Sequence, residues 1–276
     1  MRALIRPMEH SAERPLEHRT VSLGSAEFDA ILPDNGLELG ALHECVPAGY
    51  SDFAAALGFS LGLAARIVHA RPGNVLWVFP DHCGFEQGRL HAPGLMAFGL
   101  DPNRFVEVGV RKTRAMLWVM EEGLAANGPG EGALAAVIGV EAGTRTGRDY
   151  DFTASRRLAM RAEKSGVTAL LIRASAQTGI EGGAATAAAT RWRVATEPHA
   201  PEPSAWRRHE NPDAPRWAVS LVKSKRGMPG HRQVVEWDHE TLSFHMAAAL
   251  ADRTSLHRSG EGIGGQASRP EWAAAS

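Results

Sequence analysis

The sequence is short of cysteine, with Cys45 and Cys83 as the only two in 276 residues. Two cysteines do not make a disulfide framework, which favours a protein of the reducing cytoplasm. Their spacing relative to His43 and His82 also lacks the gaps that are usual between zinc ligands. We therefore expect a cytoplasmic protein without a bound metal ion.

A strong net charge and a targeting segment are missing too. Lys and Arg number 30 against 31 Asp and Glu, so any contact with nucleic acid has to come from a local basic patch. Residues 1–20 are charged and lack the apolar core of a secretory signal. The most apolar stretch, Phe53–Val68, contains Arg66 and many small residues, which predicts a buried helix and no membrane span.

Short apolar runs alternate with helical patterns between residues 40 and 172. Runs such as Asn74–Phe79 and Leu134–Val140 are apolar throughout, which is typical of strands buried on both faces of a parallel sheet. This order predicts an α/β fold with a mainly parallel central sheet. The predicted helices are Phe53–Val68, Gly88–Phe98, Arg114–Ala126 and Phe152–Ser165.

The pattern changes after residue 190. Arg191–Thr196 alternates in polarity, while Arg216–Lys223 and Gln233–Trp237 flank the turn Gly227–Gly230. All three segments are predicted to be antiparallel strands added to one edge of the sheet. Strand, turn, helix, crossovers and a closing hairpin describe a RecA-like P-loop ATPase core over residues 21–246. Residues 1–20 and 247–276 are predicted to be mobile tails.

The turn between the first buried strand and its helix, Pro47–Asp52, lies where a P-loop would lie. A working P-loop reads Gly-x-x-x-x-Gly-Lys-Ser/Thr, and its lysine and backbone N–H groups hold the phosphates. Here Gly49 is the one glycine, Ser51 offers a hydroxyl for Mg²⁺, and no lysine is present. Asp52 puts a negative charge where phosphates would lie. We predict a degenerate nucleotide loop, although backbone amides at a helix start can still hold a phosphate weakly.

Two acidic residues keep an ATP–Mg²⁺ site open as an alternative. Glu141 follows the strand Leu134–Val140, where a Walker-B-type acid would stand. Asp81 follows the strand Asn74–Phe79, at the place of the water-activating acid in RecA relatives. A weak RecA-type ATPase therefore stands beside the favoured hypothesis of a protein without catalytic activity.

Eight basic residues are candidates for contact with a DNA backbone or an acidic partner. Three share one face of a helix, two alternate on a strand, and three lead into the hairpin turn. Ordinary solvated surface charge is the alternative for each group. The eight are Arg157, Arg161, Lys164, Arg191, Arg193, Lys223, Lys225 and Arg226.

Seven segments, in order, give the chain a resemblance to the ImuA family, the RecA-like proteins of bacterial mutagenesis cassettes. The likeness covers about residues 20–245. The segments are Gly40–Glu44, Val75–Val78, Leu90–Leu95, Gly99–Pro102, Thr153–Leu158, Ala189–Val194 and Lys223–Gly227.

The resemblance implies an accessory role in error-prone translesion DNA synthesis during the SOS response to DNA damage. The implied partners are ImuB, a polymerase-like protein without catalysis, and an error-prone C-family DNA polymerase. A RecA filament and DNA are further candidate partners. An inhibitor built on the same fold, comparable to the division inhibitors of the damage response, is a second alternative.

Overall fold

The computed structural model describes residues 20–81, 89–126, 132–141, 149–173, 185–198, 214–227, 229–230 and 232–247. The two predicted tails lie almost entirely outside these ranges. His82, Cys83 and Gly88 lie outside them as well, and the predicted helix Gly88–Phe98 is shorter than expected, spanning Ala92–Ala97. Within the described ranges, the chain forms the strands and helices whose bounds follow.

The strands are β1 (Thr20–Val21), β2 (Leu37–Glu38), β3 (Leu42–Pro47), β4 (Asn74–Pro80), β5 (Phe105–Val110), β6 (Leu134–Val140), β7 (Thr168–Ile172), β8 (Thr190–Thr196), β9 (Arg216–Ser224), β10 (Gln233–Asp238) and β11 (Ser243–Met246). The α-helices are α1 (Ala26–Asp29), α2 (Phe53–Ala70), α3 (Ala92–Ala97), α4 (Thr113–Ala125) and α5 (Phe152–Ser165).

Nine strands form one mixed sheet in the order β11-β10-β9-β8-β3-β7-β6-β4-β5. From β8 to β5 every neighbouring pair is parallel. From β8 to β11 every pair is antiparallel. The remaining strands, β1 and β2, pair with each other. The predicted α/β fold, with a mainly parallel sheet extended by antiparallel strands at one edge, is confirmed.

Strand β8 corrects one part of the prediction. It was expected to be antiparallel at the sheet edge, but it runs parallel to β3 and lies inside the sheet. Trp192 and Val194 are fully buried in the core cluster that contains α2. Arg191, on the opposite face, is buried as well because it pairs with Glu44. A polar–apolar alternation therefore belonged to an interior strand.

Helix α2 covers one face of the sheet, and α4 and α5 cover the other. By length and composition alone, the segment Tyr50–Ala70, which includes the predicted buried helix Phe53–Val68, could cross a membrane. Of the most apolar 18-residue stretch in that segment, 56% is buried inside the protein. Burial of this kind is what the central helix of an α/β domain requires, since it contacts the sheet along most of its length.

An aromatic cluster joins α2 to the antiparallel strands. Phe244 of β11 lies 5.2 Å from Phe59 and 5.0 Å from Trp237 between ring centroids. A side chain at Gly62 would collide with the Phe244 ring, so the glycine permits this close approach. Neither β11 nor α1 was predicted, yet both supply rings to the cluster, since Phe28 of α1 also contacts Phe244.

Local signals fix the helix that precedes β7. The Asp151 side chain accepts a hydrogen bond from the Ala154 N–H at 2.8 Å and caps the start of α5. Gly166 ends the helix in the left-handed conformation with φ 72°. The bounds Phe152–Ser165 therefore match the prediction at both ends.

Candidate functional site

The loop after β3 lies at the carboxyl end of the parallel strands, where open α/β sheets bind ligands. Only Ala48 and Gly49 separate β3 from a single 3₁₀ turn, Tyr50–Asp52, which leads directly into α2. Strand, turn and helix thus follow one another as predicted for a nucleotide loop. The neighbours of β3 are β7 on one side and β8 on the other.

Hydrogen bonds fasten this loop to β8. The Ala48 N–H donates to the Val194 carbonyl at 2.7 Å. The Asp52 carboxylate accepts from the Thr196 N–H at 2.9 Å. Within the loop, the Asp52 N–H donates to the Gly49 carbonyl at 3.1 Å. Two loop N–H groups and the Asp52 carboxylate are therefore committed to protein partners, and a bound phosphate would have to face that carboxylate.

Glu141 follows β6 and is buried in an ion pair. Its Oε2 atom lies 2.9 Å from Arg173 Nε, and the side chains are 6% and 12% exposed. Arg173 also lies over the Tyr150 ring, 5.2 Å from its centroid. Burial raises the pKa of Glu141, while the charge of Arg173 acts in the opposite direction. The carboxylate that a Mg²⁺ ion would need is therefore already paired with the Arg173 guanidinium.

Asp81 ends up apart from the loop. It follows β4, and both β6 and β7 stand between β4 and β3. Three strand spacings amount to roughly 14 Å. Its carboxylate leans over Gly109 of β5, where a larger residue would collide with it. Asp81 therefore points toward the sheet edge, whereas Gly49, Ser51 and Asp52 lie on the other side of β7.

A buried polar cluster around Glu44 was missed by the sequence analysis. Glu44 lies in the middle of β3 and is fully buried. Its carboxylate accepts hydrogen bonds from the Tyr150 hydroxyl at 2.5 Å, from the Thr186 hydroxyl, and from Arg191 Nε at 2.5 Å. Burial first, and then the Glu44 charge, raises the pKa of Tyr150 well above its usual value. A single glutamate within a strand of mostly apolar residues could have indicated this cluster, because a buried carboxylate needs hydrogen bonds and a counter-charge.

Two of the eight candidate basic residues contact this cluster, Arg191 as a buried side chain and Lys223 as a partly buried one. Arg191 is 5% exposed and pairs with Glu44, so the structure leaves it out of reach of a DNA backbone. Lys223 donates to the carbonyls of Thr186 and Ala188 at 2.8 and 2.5 Å. Burial lowers the pKa of Lys223. Lys223 thereby holds the segment before β8 against the sheet, and Arg191 joins β8 to β3.

The three basic residues of α5 lie on the outside of the helix layer. Arg157 and Arg161 both contact Glu121 of α4, at 2.9 and 3.5 Å. Lys164 is exposed in the last turn of α5. The predicted stripe therefore exists, but its first two members partly neutralise an acidic side chain.

The other three basic residues are on the surface. Arg193 is exposed on β8. Lys225 is exposed beyond the end of β9, and Arg226 pairs with Asp34 and Glu38 at 3.0 and 3.3 Å. Because β9 runs antiparallel to β8, Lys225 and Arg226 lie at the amino end of the parallel strands. Lys164 lies at that end too, since α5 leads into the start of β7.

Zinc would need a cluster of ligating side chains. Among the residues that the structure describes, no three His, Cys, Asp or Glu side chains lie close enough together to hold a metal ion. The His43 ring nitrogens contact the Thr190 hydroxyl and the Glu38 carbonyl. Burial lowers the pKa of His43 to about 4 and raises that of Cys45 to about 12. Both side chains are therefore buried parts of the sheet's packing.

The fold defines a RecA-like protein. A crystal structure of the RadB recombinase superposes with a TM-score of 0.52 and covers 83% of this chain and 100% of its own. At 14% identity this likeness concerns the fold alone.

Sequence comparison supplies the family. Protein ImuA of Caulobacter vibrioides, from strains NA1000 / CB15N and ATCC 19089 / CIP 103742 / CB 15, is 31% identical over 241 residues. The match spans 84% of this chain and 90% of the relative. No family model matches the chain. The chain belongs to the ImuA family, which confirms the resemblance found in the sequence. Family and fold together support a RecA-like accessory protein related to DNA damage.

Proposed function

We propose that this protein is a non-catalytic RecA-like accessory factor in error-prone translesion DNA synthesis during the SOS response. It acts in the cytoplasm as a scaffold that binds ImuB and an error-prone C-family DNA polymerase, and it contacts DNA through a local basic surface. Membership of the ImuA family supports the setting in DNA damage. The RecA-like sheet supplies the rigid body of the scaffold.

The non-catalytic part of the proposal is supported by the loop after β3, whose polar groups already form hydrogen bonds with β8. Asp52 binds the Thr196 N–H, and Ala48 binds the Val194 carbonyl, so the loop is tied to β8 where phosphates would enter. No lysine stands in Pro47–Asp52 to offset the Asp52 charge. Glu141 has Arg173 as its counter-ion. A nucleotide–Mg²⁺ complex that used the Ala48 N–H, Asp52 or Glu141 would therefore have to displace an existing protein contact.

Calorimetry with ATP and Mg²⁺ tests this part directly. We expect no heat of binding at micromolar nucleotide and no phosphate release above a buffer control. A recombinase with an intact P-loop serves as the positive control in both assays. Micromolar binding accompanied by turnover that disappears in Glu141→Gln would instead establish the weak ATPase, the alternative that the RecA-like fold leaves open.

The DNA part rests on the basic residues that remain at the surface. Arg193 is exposed on β8, and Lys164 and Lys225 lie at the amino end of the parallel strands. Contacts of this kind neutralise phosphates and release counter-ions, which makes binding salt-dependent.

We expect the combined change of Arg193, Lys164 and Lys225 to alanine to weaken binding to single-stranded DNA in fluorescence anisotropy. The slope of log affinity against log salt should become shallower by about two to three contacts. Arg104→Ala, an exposed arginine beside β5, is the matched control and should leave both values unchanged. An unchanged slope in the triple variant would remove DNA from the proposal.

Capture experiments test the partner assignment. Tagged full-length protein is expected to retain ImuB and the C-family polymerase from cells exposed to DNA damage. Retention of a division protein in their place would favour the inhibitor alternative. Stepwise removal of residues 247–276 would then separate partners held by the domain from partners held by the C-terminal segment.

A further inference from the structure

Three cations lie at the start of α4. Arg111, Lys112 and Arg114 fall within four consecutive residues, Arg-Lys-Thr-Arg, directly after β5. All three are exposed, and Arg111 and Lys112 form no ion pair with any residue that the structure describes. Arg114 pairs with Asp149 at 3.3 Å and is still 84% exposed. The first turn of this helix therefore carries a net positive charge.

This charge opposes the helix dipole. The N-terminus of a helix already carries a partial positive charge, so anions are favourable there and cations are not. The other two long helices follow this rule, since Asp52 precedes α2 and the Asp151 side chain caps α5. At α4 the N-cap is Lys112, which makes no side-chain capping bond. Natural proteins break such local preferences mainly at functional sites.

The start of α4 also has hydrogen-bond donors without acceptors. The N–H groups of Ala115 and Met116 donate to the Lys112 carbonyl, at 3.0 and 3.1 Å. Those of Thr113 and Arg114 have no acceptor among the residues that the structure describes. Open N–H groups at a helix start, together with the dipole, are a common binding site for phosphate groups.

The Thr113 hydroxyl is an independent sign of a missing partner. Thr113 is the first residue of α4, is 2% exposed, and its Oγ1 atom has no hydrogen-bond partner. Buried hydroxyl groups are nearly always hydrogen-bonded, since leaving one unpaired costs free energy. A phosphate at this helix start would give acceptors to the hydroxyl and to the open N–H groups, and a counter-charge to the cations.

The Asp81 carboxylate does not compete for this position. It leans over Gly109 of β5. Val108 and Val110, on either side of Gly109, pack against the cluster that contains α4, so Gly109 faces the opposite side of the sheet. The carboxylate and α4 therefore lie on different faces.

We propose that the first turn of α4 is a phosphate-binding site. The Thr113 hydroxyl and the N–H groups of Thr113 and Arg114 donate to the phosphate oxygens, and Arg111 and Lys112 supply charge. The site lies at the carboxyl end of a parallel strand, where open α/β sheets bind ligands. It is distinct from the loop after β3, because β5 and β3 are four strand spacings apart, roughly 19 Å.

The phosphate belongs either to a DNA strand or to a small free molecule. Only the choice of a DNA strand rests on the proposed function, whereas the site itself follows from the start of α4. The experiments therefore examine inorganic phosphate and DNA separately.

Inorganic phosphate is the first probe. Its phosphorus NMR signal is followed during titration with the full-length protein, at constant ionic strength set with chloride. We expect Arg111→Ala combined with Lys112→Ala to weaken binding at least about tenfold, the effect of one lost charge-assisted hydrogen bond. Arg104→Ala combined with Arg156→Ala removes the same charge from exposed positions elsewhere and should leave the affinity unchanged.

Thr113→Val separates binding from folding. The substitution keeps the shape of the side chain and removes the unpaired hydroxyl, so the free protein should keep or gain stability. Affinity for phosphate should fall by about two- to tenfold, the effect of one neutral hydrogen bond. The rise in melting temperature that phosphate produces should shrink accordingly. A purely structural hydroxyl would give the reverse, with lower stability and unchanged affinity.

Fluorescence anisotropy with labelled single strands identifies the source of the phosphate. Equal weakening for strands with a 5′-phosphate and with a 5′-hydroxyl, in Arg111→Ala combined with Lys112→Ala, assigns the site to a backbone phosphate. Weakening for the phosphorylated strand alone assigns it to a strand end. If inorganic phosphate responds and neither strand does, the site binds a free phosphate. The DNA surface tested through Arg193, Lys164 and Lys225 is then judged on its own result.

Two results would overturn the proposal. One is an equal affinity for phosphate in the unmodified chain, in Thr113→Val and in Arg111→Ala combined with Lys112→Ala. The other is an absence of binding to inorganic phosphate together with strand affinities that these variants leave unchanged.

Discussion

Glu44→Ala is expected to lower the free energy of unfolding by about 3–5 kcal/mol, the cost of breaking a buried ion pair from one side. The substitution removes the counter-charge of Arg191 and the acceptor of the Tyr150 and Thr186 hydroxyls. All of these groups are buried and keep their desolvation cost. Denaturant titration with linear extrapolation measures the loss.

Two variants separate the buried network from general sensitivity to substitution. Asp149→Ala removes the partner of Arg114 in a pair whose side chains are 38% and 84% exposed, and it should cost at most about 1 kcal/mol. Glu44→Met combined with Arg191→Met should be less destabilised than Glu44→Ala, because it leaves no buried charge from this pair. A cost below about 1 kcal/mol for Glu44→Ala would contradict the stabilising role of the cluster.

Phe244→Ala should destabilise the fold by about 3–5 kcal/mol, the range for deleting a buried aromatic ring. The ring is fully buried and contacts Phe28, Phe59, Trp217 and Trp237. Its removal leaves a cavity between α2 and the antiparallel strands. Thermal and denaturant unfolding followed by tryptophan fluorescence reports the change at this cluster.

Phe152→Ala provides the matched control for that deletion. It removes the same ring at a site that is 48% exposed, and surface changes of this kind usually stay within about 0.5 kcal/mol. If Phe244→Ala costs no more than Phe152→Ala, then β11 lies outside the cooperative unit of the domain.

Local sequence signals explain why most of the fold could be predicted. β6 is a continuous apolar run, and α5 carries a capping aspartate at its start and a glycine at its end. β11 was not predicted because Ser-Phe-His-Met is too short to show the two-residue alternation of a strand, and no glycine or proline turn precedes it. Leu242, just before it, takes a positive φ of 51° that no sequence pattern announced.

The interior of the site depended on contacts between distant segments. More than a hundred residues separate Glu44 from Tyr150, and about forty more separate Tyr150 from Arg191. No local sequence pattern relates residues so far apart. The alternation around Trp192 correctly placed Arg191 and Arg193 on one face. Whether that face was covered depended on Glu44 of β3, which buries Arg191 and leaves Arg193 exposed. The periodicity of a sequence predicts which face of a strand a side chain lies on, but it does not predict which residue on another strand packs against it.

The Phe244 N–H donates to the Leu23 carbonyl at 2.8 Å, so the described part of the chain closes on itself near its two ends. That junction lies at the β11 side, whereas β5 lies at the far side of a nine-stranded sheet. Eight strand spacings amount to roughly 38 Å. The described part of the chain therefore begins and ends at one flank of the sheet, and the β5 edge lies at the other. A circular permutant joined across that flank would keep every strand pairing intact.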